Sequence, residues 1–85
     1  MQLTDHFTLA ELTRSDTAER RHIDNTPTPE VIDNLRALCH NVLEPARQAF
    51  GAPIYITGGY RCPALNAAVG GKPTSQHLRG EAADL

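Results

Sequence analysis

The longest regular run of apolar side chains lies in residues 28–50, where Val31, Ile32, Leu35, Leu38, Cys39, Val42, Leu43, Ala46 and Phe50 recur at intervals of three and four. That spacing predicts an amphipathic helix with one face on a core. Its start is marked by Thr28-Pro29-Glu30: Thr28 suits the N-cap, Pro29 the first helical position, where its missing N–H is not needed, and Glu30 the positive end of the helix dipole. Gly51 predicts the stop. Pro45 predicts a kink or the end of a first section, because it removes a hydrogen bond and crowds the preceding turn. Upstream, Thr8-Leu9-Ala10-Glu11 forms a capping box with Phe7 placed as a hydrophobic staple, so a short helix starts there. Residues 14–26 carry charged and small polar side chains without a periodic apolar face, which predicts an exposed loop with a turn at Asp24-Asn25.

The second half changes character. Ile54-Tyr55-Ile56-Thr57 is β-branched and aromatic and predicts a strand of the core sheet. Gly58-Gly59 breaks it, residues 60–63 form a loop, residues 63–69 have the composition of a short helix closed by Gly70-Gly71, and Lys72-Pro73-Thr74 makes a second loop. The pattern predicts an α+β chain, residues 1–85 as one domain, with N-terminal helices packed on a small antiparallel sheet. A domain of 85 residues buries only about 60 to 65 per cent of the surface that its unfolded chain exposes, so a metal, a partner or further chain would add to its stability.

Charge narrows the function classes. A net charge of −2 and a pI near 6.0, with no basic run, argue against a nucleic-acid or anionic-membrane binder. Asp5 and His6 stand where a secretory signal would carry a positive segment followed by an apolar run, so neither a signal peptide nor a membrane span is expected. Cys39 and Cys62 lack C-x-x-C spacing and are read as small, partly buried residues.

The candidate chemistry gathers at residues 75–85. His77 and Asp84 lie seven positions apart around Gly80. If Gly80-Glu81 makes a two-residue hairpin turn, the two side chains face each other across two strands with Cβ atoms about 5 Å apart, within reach of one zinc ion. A hydrogen-bonded surface pair is the other reading of the same two residues. Segments 58–61, 70–75 and 77–84 together form the expected rim of one site.

Residues 56–85 resemble the zinc D-Ala-D-Ala carboxypeptidases and related cell-wall peptidases of the M15 family, whose signature S-x-H-x-x-G-x-A-x-D is matched at Ser75, His77, Gly80, Ala82 and Asp84. Gly59-Tyr60-Arg61, with Asn66 and Gly70-Gly71, is similar to the family's GYR and N-x-x-x-G-G segments, and Phe7-Thr8-Leu9-Ala10-Glu11-Leu12 to the opening of phage-borne members. The resemblance implies a Hedgehog/D-Ala-D-Ala peptidase-like fold, His77 and Asp84 as zinc ligands, Arg61 as the residue that steadies the substrate carbonyl or its oxyanion, and Ser75 as a substrate-site residue. It implies hydrolysis of peptidoglycan stem peptides, of the carboxypeptidase or endolysin type, by a protein cytoplasmic or phage-encoded and released to the wall. A non-catalytic wall-binding or phage structural module and an inactive fragment are the competing classes. The family draws its third ligand, a histidine, and its general base from a segment after the aspartate. Here the sequence stops at Leu85, so the chain is expected to be truncated and inactive alone. His6, His22 and His40 match no family ligand, and Glu81 is expected to point away from the Asp84 face.

Overall fold

A computed structural model describes residues 1–85. The chain opens with a two-stranded antiparallel hairpin, β1 (Gln2–Thr4) and β2 (Phe7–Thr8), paired Gln2 to Thr8 and Thr4 to Phe7 with one irregularity between them. Leu3 and Phe7 point from it into the core. Thr8 then caps α1 (Leu9–Thr13): its hydroxyl accepts the Glu11 amide at 3.3 Å while the Glu11 carboxylate accepts the Thr8 amide at 3.1 Å. The expected capping box is formed in both directions.

The stretch expected to be an exposed loop contains a helix, α2 (Asp16–Arg21). The Ser15 hydroxyl accepts the Ala18 amide at 3.2 Å. Asp16 and Glu19 lie in the first turn and Arg20 and Arg21 in the last, the order that the helix dipole favours. Ala18 alone of α2 is buried, which is why no apolar stripe marks the helix. His22 closes it in the left-handed region at φ 55°. No backbone turn forms at Asp24-Asn25, where the chain is irregular; the Asp24 carboxylate instead accepts the Thr26 amide at 3.0 Å.

The main helix runs from α3 (Pro29–Leu38), capped by the Thr28 hydroxyl on the Val31 amide at 3.3 Å, into α4 (Glu44–Phe50), which Gly51 ends in the left-handed region. A π turn, Cys39–Leu43, joins them, and the Glu44 N–H reaches back five residues to the Cys39 carbonyl. Pro45 has no N–H to offer the Asn41 carbonyl and its ring crowds that oxygen; the wider turn accommodates both faults without breaking the helix. The π turn also repairs a drift. Val31, Leu35, Cys39 and Leu43 are all buried at a strict interval of four, a row that a regular helix carries round its axis by about 40° per step. One looser turn brings Leu43 back to the core. Val42 and Phe50, expected on the buried stripe, are instead 53% and 72% exposed.

No strand forms at residues 54–57, so the expected core sheet is replaced by the N-terminal hairpin and one isolated bridge between Gly58 and Asp84. The Asp84 amide donates to the Gly58 carbonyl at 2.7 Å and the Thr57 amide to the Asp84 carbonyl at 2.9 Å. Helix α5 (Pro63–Ala68) is capped by the Cys62 sulfur on the Leu65 amide at 3.4 Å. Cys39 is fully buried and Cys62 partly exposed. Helices around one core with a small antiparallel hairpin make the chain α+β, and no helix is long and apolar enough to cross a membrane.

Candidate metal centre and its cleft

Residues 75–80 do not form half of a hairpin. Gln76–Arg79 is a turn of 3-10 helix, with the Ser75 hydroxyl accepting the His77 amide at 3.2 Å and Gly80 closing it at φ 73°. The capping serine and the absence of β-branched residues in Gln-His-Leu-Arg favour the helical turn, and Gly80 takes a left-handed conformation that residues with a Cβ adopt at a cost. A Cβ at Gly80 would also lie 3.0 Å from Val31. His77 and Asp84 therefore are not a cross-strand pair, yet they meet: His77 Nε2 lies 3.5 Å from Asp84 Oδ1.

His77 is fixed at both ends by the loop that follows Thr57. Its Nδ1 stands 2.7 Å from the Gly59 carbonyl, and its own carbonyl accepts the Arg61 amide at 3.0 Å. A carbonyl only accepts, so Nδ1 carries a hydrogen and the lone pair of the neutral ring is on Nε2, facing Asp84. Two acceptors facing each other suit a cation between them. Ligands about 2.0 to 2.1 Å from a tetrahedral zinc stand about 3.3 to 3.4 Å apart, close to the separation found. The donor set, an imidazole nitrogen and a carboxylate oxygen with a backbone carbonyl ordering the imidazole, fits zinc. No group of three or more His, Cys, Asp and Glu side chains assembles here or elsewhere in the chain.

Gly59 makes this placement possible, since a Cβ there would lie 2.2 Å from the Leu12 carbonyl oxygen. The close approach lets the Tyr60 amide donate to that oxygen at 2.7 Å. Arg61 follows, with its Nη2 3.5 Å from Ser75 Oγ and its Nε buried without a partner. Ser75 caps the turn and touches Arg61, but it does not line the cleft. That cleft, about 380 Å³, brings His77, Asp84 and Arg61 together with Arg14 and Arg20 from the segment around α2.

One residue that sequence reasoning left in the loop organises the site. Asn25 donates from Nδ2 to the Thr13 carbonyl at 2.9 Å and the Tyr60 carbonyl at 3.0 Å, and its Oδ1 accepts the Cys62 amide at 2.7 Å. It thus clamps the backbone on both sides of Arg61 to the end of α1. Asn66, the polar residue of α5, is buried and donates to the Lys72 carbonyl at 2.9 Å, which ties down the loop before Ser75. The other histidines lie elsewhere. His6 binds Glu44 at 2.7 Å, and His22 and His40 are exposed. Glu81 pairs with Arg79 at 2.7 Å, away from the cleft as expected. A larger open depression of about 760 Å³ between the hairpin and α3 includes His40, Asp33 and Glu44. Its Glu44 is engaged by Thr4 and His6, so it offers no comparable ligand pair.

A histidine ordered by a carbonyl thus stands beside a carboxylate in an arginine-lined cleft. The chain belongs to the Peptidase M15 family, whose model matches residues 5–85. Membership makes it a metallopeptidase domain at the level of the family, with a peptide as substrate. Comparison with curated proteins and with solved structures finds no match.

Proposed function

We propose that this chain forms part of a zinc peptidase with the Hedgehog/D-Ala-D-Ala peptidase-like fold, acting on peptidoglycan stem peptides as a D-Ala-D-Ala carboxypeptidase or endolysin. The observation that carries the reading is the His77 ring, ordered by the Gly59 carbonyl so that Nε2 and Asp84 Oδ1 converge. These two residues would hold the metal. A catalytic zinc takes three protein ligands and keeps one position for water, so the third ligand and the general base lie outside the arrangement that these residues form. Zinc held there would supply Lewis acidity to a carbonyl and would acidify water. Arg61 donates to the substrate carbonyl oxygen as negative charge develops on it, from a loop already fixed before substrate arrives. Ser75, outside the cleft lining, acts on the substrate only through its contact with that guanidinium. A protein of this kind is made in a bacterial cytoplasm or by a phage and is released to the wall.

Metal analysis tests the proposal. The intact protein is expected to carry one zinc that His77→Ala and Asp84→Ala both lose, and to release D-alanine or cut a stem peptide in a chelator-sensitive way. Equal zinc in the parent protein and His77→Ala would refute the ligand assignment.

A further inference from the structure

Five of the seven arginines take no part in an ion pair; only Arg36, with Asp33, and Arg79, with Glu81, do. Three of those five, Arg14, Arg20 and Arg61, line the one cleft that holds His77 and Asp84. Asp16 and Asp84 are the carboxylates there, so the lining is net positive before any metal is added. Arg61 is anchored beside His77. Arg14 and Arg20 come from the other wall, where Arg20 Nη2 makes one long contact with Thr17 Oγ1 at 3.4 Å.

A second depression adjoins this wall. Also about 380 Å³, it shares Arg14, Ser15, Asp16 and Thr57 with the cleft and continues to Tyr55, which is 79% exposed. Taken together across the residues they share, the two depressions mark out a track from the His77–Asp84 pair toward Tyr55. Each part alone is near the lower end of the range for small-ligand sites, about 300 to 1,000 Å³. Joined, they suit an extended chain rather than a compact group. Guanidinium forks match carboxylates in geometry as well as charge.

We infer that the track binds an extended peptide bearing a free carboxylate, and that Arg14 and Arg20 select for that carboxylate. The inference rests on the peptidase reading for its occupant, but binding tests it without hydrolysis or metal. Four N-acetylated alanine pentapeptides are compared, carrying Glu or Gln at the centre and a free acid or an amide at the C-terminus. Each is titrated into the isotopically labelled 85-residue chain at low salt and followed by amide and arginine side-chain resonances. Peptides with a carboxylate are expected to bind roughly tenfold more tightly than the doubly neutral one, the scale of one charge-assisted contact. The Glu-amide and Gln-acid members show whether a side chain or a terminus supplies it. Arg14→Ala with Arg20→Ala should abolish the preference and Lys at both positions restore part of it, while Arg21→Ala with Arg47→Ala, outside the cleft, should leave it intact. Equal affinity for all four peptides, no detectable binding of any, or a preference unchanged in the Arg14/Arg20 variants would overturn the inference. Loss of zinc binding or hydrolysis with the preference intact would instead count against the peptidase reading alone.

Discussion

Asn25→Ala removes one side chain that makes three hydrogen bonds to three backbone groups, the Thr13 and Tyr60 carbonyls and the Cys62 amide. Each such bond contributes about 0.5 to 1.5 kcal/mol net, and more is lost where a partner is left dry. The site is part-buried, so water replaces some of the lost bonds, and a total of about 2 to 3 kcal/mol is expected. Unfolding entropy near 2.1 cal/mol/K per residue gives a chain of this length about 180 cal/mol/K, so the melting temperature should fall by about 11 to 17 °C. Asn25→Asp is the sharper probe. It keeps the acceptor for the Cys62 amide but turns a carboxylate oxygen toward two carbonyls, and it should be at least as damaging as alanine. Thermal melts by circular dichroism measure both variants, with the resonances of the Tyr60 and Cys62 amides as a local readout. A fall of less than about 3 °C for Asn25→Ala, well under the loss of a single typical bond in a domain this size, would refute the clamp. So would an aspartate variant as stable as the parent.

Arg61→Lys keeps the charge but not the planar fork, and in catalytically active protein it should lower kcat by about tenfold or more with little change in melting temperature; full activity, or loss only through unfolding, would return Arg61 to a structural role. Burial favours the neutral Glu44 acid, but hydrogen bonds from the Thr4 hydroxyl and from the His6 ring and amide outweigh it and hold the carboxyl at about 2 against an ordinary 4.5. Its contribution to stability is therefore complete above about 4.5 and lost as pH falls toward about 2; urea midpoints across that window should slope less in Glu44→Gln, and an unchanged slope would refute the assignment. Burial, aided by the charges of Glu44 and Glu11, pushes the Cys39 thiol up to about 11. A thiol reagent at pH 8 should thus modify Cys62 in the native chain and Cys39 only on unfolding, and rapid reaction in Cys62→Ser would contradict the packing of Cys39.

Local chemistry was legible where a few neighbouring residues decide it. The Thr8 and Thr28 caps, the Pro29 start and the Gly51 stop follow from hydrogen bonds made within one turn, and all are present. Helix α2 carried the same kind of signal in Ser15-Asp16 and Arg20-Arg21, but its single buried residue gave no periodicity to support it. The π turn was hidden for a different reason: Pro45 announced a disturbance, while only the burial of both Cys39 and Leu43 shows how the chain absorbs it. Asn25 was illegible, because in a polar stretch an asparagine reads as a turn residue and its partners are 12, 35 and 37 positions away. The meeting of His77 with Asp84 could be anticipated from the motif. The route to it could not, because a 3-10 turn and a hairpin bring the same two side chains together.

That route has a mechanical consequence. The turn bearing His77 rests on α3, through Gly80 against Val31 and Leu35 and through Asn34 Nδ2 on the Arg79 carbonyl at 2.8 Å. The loop that orders its ring rests on α1, through the Tyr60 amide on Leu12 and through Asn25 on Thr13. Histidine and carbonyl are therefore held by different helices, and the 2.7 Å contact between them reports how well those helices are packed. Asp84 depends on a third attachment, the bridge to Gly58, and its side chain is 66% exposed against 13% for His77. Of the two proposed ligands, the histidine is placed by the core and the aspartate by backbone hydrogen bonds with Thr57 and Gly58 alone. A ligand so lightly held gains order from a bound ion, whereas the imidazole is already oriented without one.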